Sequence, residues 1–357
     1  MKKSIITTAL LAVASGAVSA QSNVVFYGVL DLGMSVDGGA ASQSAGSASQ
    51  VRVTSGMATQ SRWGFRGTED LGGGLAAFFV IEGGIHADTG TSTQNNTIFG
   101  RNTAVGLRGN FGAVSIGVQH TPLFTTLNTV VDPLRNGIIR SNNLMSPTGF
   151  RTGNSVLWRS RDYAGFSADA MVAPGEVAAD STAARAIGGS FGYARGPLTA
   201  RIAYHRKNND TATIKNTEAA RNTLLGANYD FGPIKAFFGY EINRGPNSSP
   251  LNNTLAVFGG AAPVASTDSR DLLLAASMPF GASTVVVTFG HKNDRSRFDQ
   301  DAQQLGAAYM YAFSKRSDIY TSFARIRHHN GAAYTEGNSE EAGTGNRQFT
   351  VGLRHRF

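Results

Sequence analysis

Thr121-Pro122-Leu123-Phe124 opens, and Arg151-Thr152-Gly153-Asn154 closes, a long segment rich in Asn, Pro and Arg with little strand character. On either side, residues 113–120 and 155–163 alternate apolar and polar side chains as strands do. A structureless connection of this length inside a compact domain is functional, or else it argues against the strands around it. It carries Arg135, Arg140 and Arg151 against one acid, Asp132, so it is a basic insertion early in a chain of hairpins. If those hairpins close into a barrel, this segment is long enough to fold inward and narrow the hole.

The alternation extends outward from there. In Val25-Phe26-Tyr27-Gly28-Val29-Leu30-Asp31-Leu32, one face holds Phe26, Gly28, Leu30 and Leu32, and the other holds Tyr27, Val29 and Asp31. An acid sharing a face with an aromatic suits an aqueous lining, although the solvated face of a soluble sandwich reads the same. Around residue 63, Trp63 and Phe65 oppose Arg62 and Arg66. The last strand repeats the pattern: Phe349, Val351, Leu353 and Phe357 alternate with Thr350, Gly352, Arg354 and Arg356.

Short turns, several with an aromatic just before them, recur at residues 109–112, 163–165, 193–197, 229–233, 279–281 and 311–315. Longer polar connections lie between them, at residues 174–184, 207–220, 244–268, 292–302 and 328–345. A repeat of this length could belong to a solenoid or a propeller. The asymmetry between the two kinds of connection predicts an outer-membrane barrel, with long loops facing the medium and aromatics forming a girdle beside the short turns. Eight strands precede the turn at Arg195 and eight follow it. The fold class is therefore all-β, a 16-stranded antiparallel transmembrane barrel, wide enough to keep a water channel. Its last strand must pair with its first, because an open edge cannot face lipid.

Residues 1–20 read as a signal peptide, with Lys2-Lys3 ahead of an apolar run and Val18-Ser19-Ala20 as the cleavage site. Residues 21–357 form one barrel domain. There is no Cys, so the exported chain relies on hydrogen bonding and packing. No later window holds 18 consecutive apolar residues, which excludes membrane helices but not membrane strands. The formal charge is +8, to which Lys2 and Lys3 contribute two. The arginines are scattered along alternating segments and form no block or helix face, which argues against nucleic acid and suits charge spread along a wall.

Enzymatic chemistry finds little support. Gly188-Gly189-Ser190-Phe191-Gly192 matches the hydrolase pattern, but it sits in mid-strand and not at a strand-to-helix elbow. The seven histidines show no metal-ligand spacing, His328-His329 reads as a solvated loop pair, and no cofactor is implied. A rim enzyme, an adhesin or a receptor remains as a different class.

Tyr27-Gly28-Val29-Leu30-Asp31, Ser61-Arg62-Trp63-Gly64-Phe65-Arg66-Gly67-Thr68-Glu69-Asp70-Leu71-Gly72, the run from Gly100-Arg101 through Val105-Gly106-Leu107 to Asn110-Phe111-Gly112, and the terminal Val351-Gly352-Leu353-Arg354-His355-Arg356-Phe357 resemble the Gram-negative general porins, the beta-proteobacterial type above all. The resemblance covers the whole mature chain. It implies a homotrimer of barrels set in outer-membrane lipid and lipopolysaccharide. It further implies that the third outer loop folds into the pore and that wall arginines face acids across a constriction. By position, Arg62, Arg101 and Arg159 become wall arginines on the second, fourth and sixth strands. Glu82 becomes a wall acid on the third, and Asp132 and Arg135 belong to the inward loop. Strict alternation supports Arg62 and Arg159 but sets Arg101 on the face of Val105 and Leu107. The Pro-Glu-Phe-Gly motif of some porin loops is absent, which tilts the constriction towards positive charge. The function expected is passive diffusion of small hydrophilic solutes, anionic or neutral, with anion preference; the alternative is a specific channel for phosphate or organic acids. Pairing of the arginines to Asp31, Glu82 or Asp132, bracing the loop, is compatible with either.

Overall fold

The computed structural model describes residues 23–40, 50–145, 148–251, 264–332 and 334–357. The predicted signal peptide lies outside them. The chain forms one closed antiparallel sheet of sixteen strands. In order these are β1 (Asn23–Ala40), β2 in two pieces (Gln50–Ser55 and Arg62–Gly72), β3 (Leu75–His86) and β4 (Asn102–Gly109). Next come β5 (Gly112–His120), β6 (Arg151–Arg159), β7 (Phe166–Ala173) and β8 (Ala186–Arg195). The second half holds β9 (Leu198–Lys207), β10 (Ala220–Asp230), β11 (Lys235–Ser249) and β12 (Ser266–Phe280). It ends with β13 (Ser283–Asp294), β14 (Ala302–Ala312), β15 (Ser317–His328) and β16 (Gly345–Arg356). His328 is thus the last residue of a strand and not part of the loop expected from the sequence.

Closure is made by β1 and β16, paired from Val29↔Arg356 to Ala40↔Gly345. Gly28 and Phe357 exchange both backbone hydrogen bonds, each at 3.1 Å, so the terminal residue is part of the seam. No backbone edge is left facing lipid there, as a spanning sheet requires. No described helix is long and apolar enough to cross a membrane, so the strands do the crossing.

Side chains sort by parity. Phe26, Leu30, Met34, Val105, Ile116, Phe323 and Leu353 are exposed on the outer face. Asp31, Ser35, Asp37, Glu82, Ser155 and Gln348, on the other face, are buried inside. Aromatics ring the short-turn end, with Phe166 against Tyr193, Tyr229 against Phe231 and Tyr311 against Phe313 at centroid distances of 4.6–5.4 Å, all of them exposed but the half-buried Tyr193. An amphipathic ring suits the headgroup level of a bilayer.

The segment after β5 departs from the structureless loop expected. Thr121 caps a short helix, α1 (Pro122–Thr126), by accepting from the Phe124 amide at 3.1 Å, and Pro122 occupies its first turn. A π-turn, Leu127–Val131, continues it, and a 3₁₀ turn follows at Ser141–Asn143. The fourfold spacing of Leu123, Leu127 and Val131 lays one apolar stripe along the wall, against Ala203, Leu224 and Leu273. Farther along, Leu134, Ile138 and Ile139 pack on Met57, Val286, Ala308, Tyr320 and Ala324. Met57 and Ala58 reach this contact because β2 is interrupted at residues 56–61, where Gly56 takes a φ of 68°. The return strand starts at Arg151, earlier than the alternation suggested. An irregularity between Gly117 and Gln119 lets His120 pair with Arg151.

Wall glycines make the seat. A Cβ on Gly239 would lie 2.2 Å from Cγ1 of Val131, and one on Gly226 would lie 2.5 Å from its Cγ2. Gly239→Leu is accordingly expected to lift the loop and to destabilise the barrel by about 1–3 kcal/mol, the range for overpacking. Faster proteolysis within residues 121–150, with the strands intact, is the measurement that shows it.

Candidate functional site

The inward segment crosses the channel and leaves a cavity of about 840 Å³ between itself and the wall made by β2, β3 and β16. Arg62, Arg101, Arg135, Arg140, Arg151, Arg354 and Arg356 line it, against the acids Glu82 and Glu340. The charge arrangement has a plan. Glu82, on β3, faces two guanidiniums at once, Arg101 Nε at 2.8 Å and Arg62 Nε at 3.2 Å. The Tyr27 hydroxyl donates to the same carboxylate at 3.0 Å. On the seam, Asp318 of β15 holds Arg354 at 3.0 Å and Arg356 at 2.7 Å. Each of these acids orients two arginines and so leaves one positive charge in excess.

The inward segment supplies the rest. Arg135 is exposed in the cavity, at a φ of 53°, and makes no ion pair among the described residues. Arg140 donates to Asn136 at 3.3 Å and lies 6.0 Å from the ring centroid of Phe150. Arg151 donates to the neutral amide of Gln60 at 3.2 Å. None of these three guanidiniums is paired to a carboxylate among the described residues; Arg135 is exposed, and Arg140 and Arg151 are half-buried.

Of the residues singled out from sequence, the structure brings Arg62, Arg101, Glu82 and Arg135 to one cavity. Arg101 is reconciled with the alternation because it precedes the first paired residue of β4 and is buried beside Glu82. Asp132 and Arg159 are not brought there. Asp132 turns into the loop, accepting from the amides of Leu134 at 2.8 Å and Asn136 at 2.9 Å, so it shapes the turn that presents Arg135. Arg159 is on the inner face and lines an adjoining space of about 270 Å³, which shares Asn102, His120, Phe124 and Asn128 with the first cavity. Its nearest acid is Asp169, at 3.9 Å. The hydrolase-like Ser190 lies within β8 and donates to Asp169 at 2.8 Å.

Sequence reasoning passed over Arg354, Arg356 and Glu340 as site residues. The first two were visible as the inner parity of the last strand, opposite Val351 and Leu353. Glu340 had no such signal, since it reaches the cavity from the loop after β15, where its carboxylate meets His86 Nδ1 at 3.0 Å and the Ser61 amide at 3.0 Å. Burial pushes the Glu340 carboxyl up to about 8. Because the folded value lies above the ordinary carboxylate value of 4.5, its proton is held at neutral pH and released as pH rises through 8. Release adds a negative charge to the cavity wall, so anion preference is expected to fall between about pH 7 and pH 9. Reversal potentials recorded across that range in the wild type and in Glu340→Gln check this, the variant's response being flat. Stability linked to the same proton is lost over the window from 4.5 to 8, where the folded form alone holds it.

A family model described as Gram-negative porin matches residues 7–332. An outer membrane porin protein of Bordetella pertussis is 30% identical over 399 residues, with 100% of both chains covered. Outer membrane porin protein 32 of Delftia acidovorans is 31% identical over 380 residues, again with 100% of both covered. Among solved structures, an anion-selective porin from Comamonas acidovorans matches with a TM-score of 0.72 at 25% identity, over 94% of this chain and 100% of that one. The sixteen-stranded wall, the inward segment and these matches agree: the chain belongs to the Gram-negative porin family, and its barrel is a channel for small solutes in the outer membrane.

Proposed function

We propose that this porin lets small hydrophilic solutes diffuse passively and favours anions, that it works as a homotrimer with one pore per chain, and that it catalyses no reaction on what it passes. The observation that carries the anion preference is the imbalance of seven arginines around one cavity against three acids that line it or pair with its arginines, Glu82, Glu340 and Asp318. Low-dielectric walls weaken screening there, so the positive potential is focused on the water path. The guanidiniums are spread over three strands and the inward segment, and are not gathered into a closed pocket. Spread contacts favour entry without slow release, which suits diffusion more than tight binding of one solute. The likeness to the anion-selective Comamonas porin supports the same reading.

The test is the reversal potential of the purified protein in a planar bilayer under a salt gradient, recorded with single-channel steps. An anion-selective potential with closures in threes is the expected result. A cation-selective potential would overturn the preference, and saturation by one solute at low concentration would favour a substrate-specific channel.

A further inference from the structure

One stretch of the inner wall is apolar, where the lining of a water channel is otherwise polar. Phe78 and Val80 share the inner face of β3 with Glu82 and lie nearer the short-turn end. Phe78 pairs with Gly106 of β4, and Val80 with Ala104. A Cβ on Gly106 would lie 2.6 Å from Phe78 Cζ, so the ring lies over that glycine, in space that any other residue would fill. Both side chains are half-buried, and neither packs into the two apolar clusters that seat the inward segment.

Phe78, Val80 and Ala104 form the wall side of the 270 Å³ space, and Phe124 of α1 with Asn128 after it forms the other. Arg159, at the short-turn end of β6, is the single arginine lining it, and no carboxylate lines it among the described residues. Asp169 stands 3.9 Å from Arg159 through one oxygen and commits the other to Arg201 at 2.9 Å and Ser190 at 2.8 Å. The Arg159 side chain therefore stays 52% exposed, with most of its charge uncompensated. Apolar walls with one orienting charge are the make-up of a small-molecule pocket, and this one falls just below the roughly 300–1,000 Å³ of sites for drug-sized ligands, so it suits a single ring. A flat ring suits the face of Phe78, and a carboxylate suits the guanidinium fork.

We propose that this pocket holds an aromatic carboxylate, its ring against Phe78 and Val80 and its carboxylate on Arg159. The inference rests on the reading of the barrel as an anion-passing channel and adds to it a selectivity among organic anions: aryl acids linger, and aliphatic acids of equal charge pass on. Because the pocket shares Phe124 and Asn128 with the larger cavity, an occupant narrows the water path. Its residence is therefore visible as a fall in chloride current.

The experiment records chloride current through the full-length protein in a planar bilayer while sodium benzoate, sodium acetate or benzyl alcohol is added. Benzoate is expected to half-block at a concentration about tenfold below that of acetate, the scale of burying one ring face. Benzyl alcohol, which has the ring without the charge, is expected to block no better than acetate. Phe78→Ala should raise the benzoate value about threefold to tenfold and leave that of acetate unchanged. Arg159→Gln should raise the benzoate value about tenfold or more, as for a lost charge-assisted hydrogen bond. If Phe78→Ala gives no channel steps, Phe78→Met, which keeps the volume and removes the ring, replaces it and must raise the value likewise. Equal block by benzoate and acetate overturns the proposal, as does an unchanged benzoate value in a conducting Phe78 variant. Block abolished by Arg135→Gln/Arg151→Gln and untouched by Arg159→Gln also overturns it, because the acid would then sit in the constriction. The reversal potential is read on the same channels: a cation-selective value with benzoate block intact removes the anion preference and leaves the pocket standing, so the two failures are distinct.

Discussion

Arg135→Gln combined with Arg151→Gln lowers the anion concentration in the constriction about tenfold in dilute salt, and the anion-to-cation permeability ratio by at least as much, and leaves the barrel folded. A unit charge about 6 Å from a passing ion in a water-like medium contributes roughly 0.7 kcal/mol, close to threefold in local anion concentration per charge removed. Two charges therefore give about tenfold. These two are the ones to remove because no carboxylate depends on them: Arg151 donates to Gln60, and Arg135 makes no ion pair among the described residues. Neutralising Arg62 and Arg101 instead would leave Glu82 buried without its partners and confuse selectivity with folding. At about 1 M salt, where the screening length is near 3 Å, the difference should shrink towards twofold or less. Reversal potentials at two salt concentrations measure both effects, and an unchanged ratio in dilute salt would sink the assignment of these arginines to the constriction.

The second large effect falls on the far side of the channel. Lys292 of β13 is fully buried, pairs with Asp271 at 2.8 Å and donates to the Leu144 carbonyl of the inward segment at 3.0 Å. It is at once a buried ion pair and the polar tether of the segment's return limb. Lys292→Met strands Asp271, and also Glu241 beside it, both of them fully buried. A destabilisation of about 3–5 kcal/mol is expected, as for other broken buried pairs, read as a lower midpoint of unfolding in detergent. Asp271→Asn added to Lys292→Met should recover much of that loss, since no unpaired charge remains at that position. The tether stays cut in both, so both should show noisier single-channel currents. Stability rescued with noise unchanged separates the two roles of one side chain.

Much of the wall was legible from parity alone. Tyr27 and Asp31 fall inside and Phe26 and Leu30 outside because a pleated strand admits no other arrangement, and the same logic gave Arg62, Arg354 and Arg356 an inner position. Parity failed wherever the backbone left the ladder. Arg101 sits one residue ahead of the paired strand, and Arg151 enters pairing through an irregularity opposite it; neither can be seen by counting. The helical turns after Thr121 had a local signal in Thr121-Pro122 and in the spacing of Leu123, Leu127 and Val131. A segment dominated by Asn, Pro and Arg masked it. Asp132 was readable as an acid in a basic loop but not as one whose carboxylate is satisfied by its own turn. The partnership of Lys292 with the Leu144 carbonyl joins residues 148 positions apart, and no periodicity encodes it.

The seat of the inward segment bears on how the barrel is made. Its apolar contacts reach from Met57 in the interruption of β2, through Ala203 on β9, to Ala324 on β15. Most of its anchorage thus comes from wall that lies later in the chain. A half-assembled sheet would offer a wide, unguarded hole, and the aperture reaches its working size only when the final strands arrive. The filter is, in effect, the last joint to be tightened, so an unfinished barrel should leak larger solutes indiscriminately while a finished one sorts them by charge.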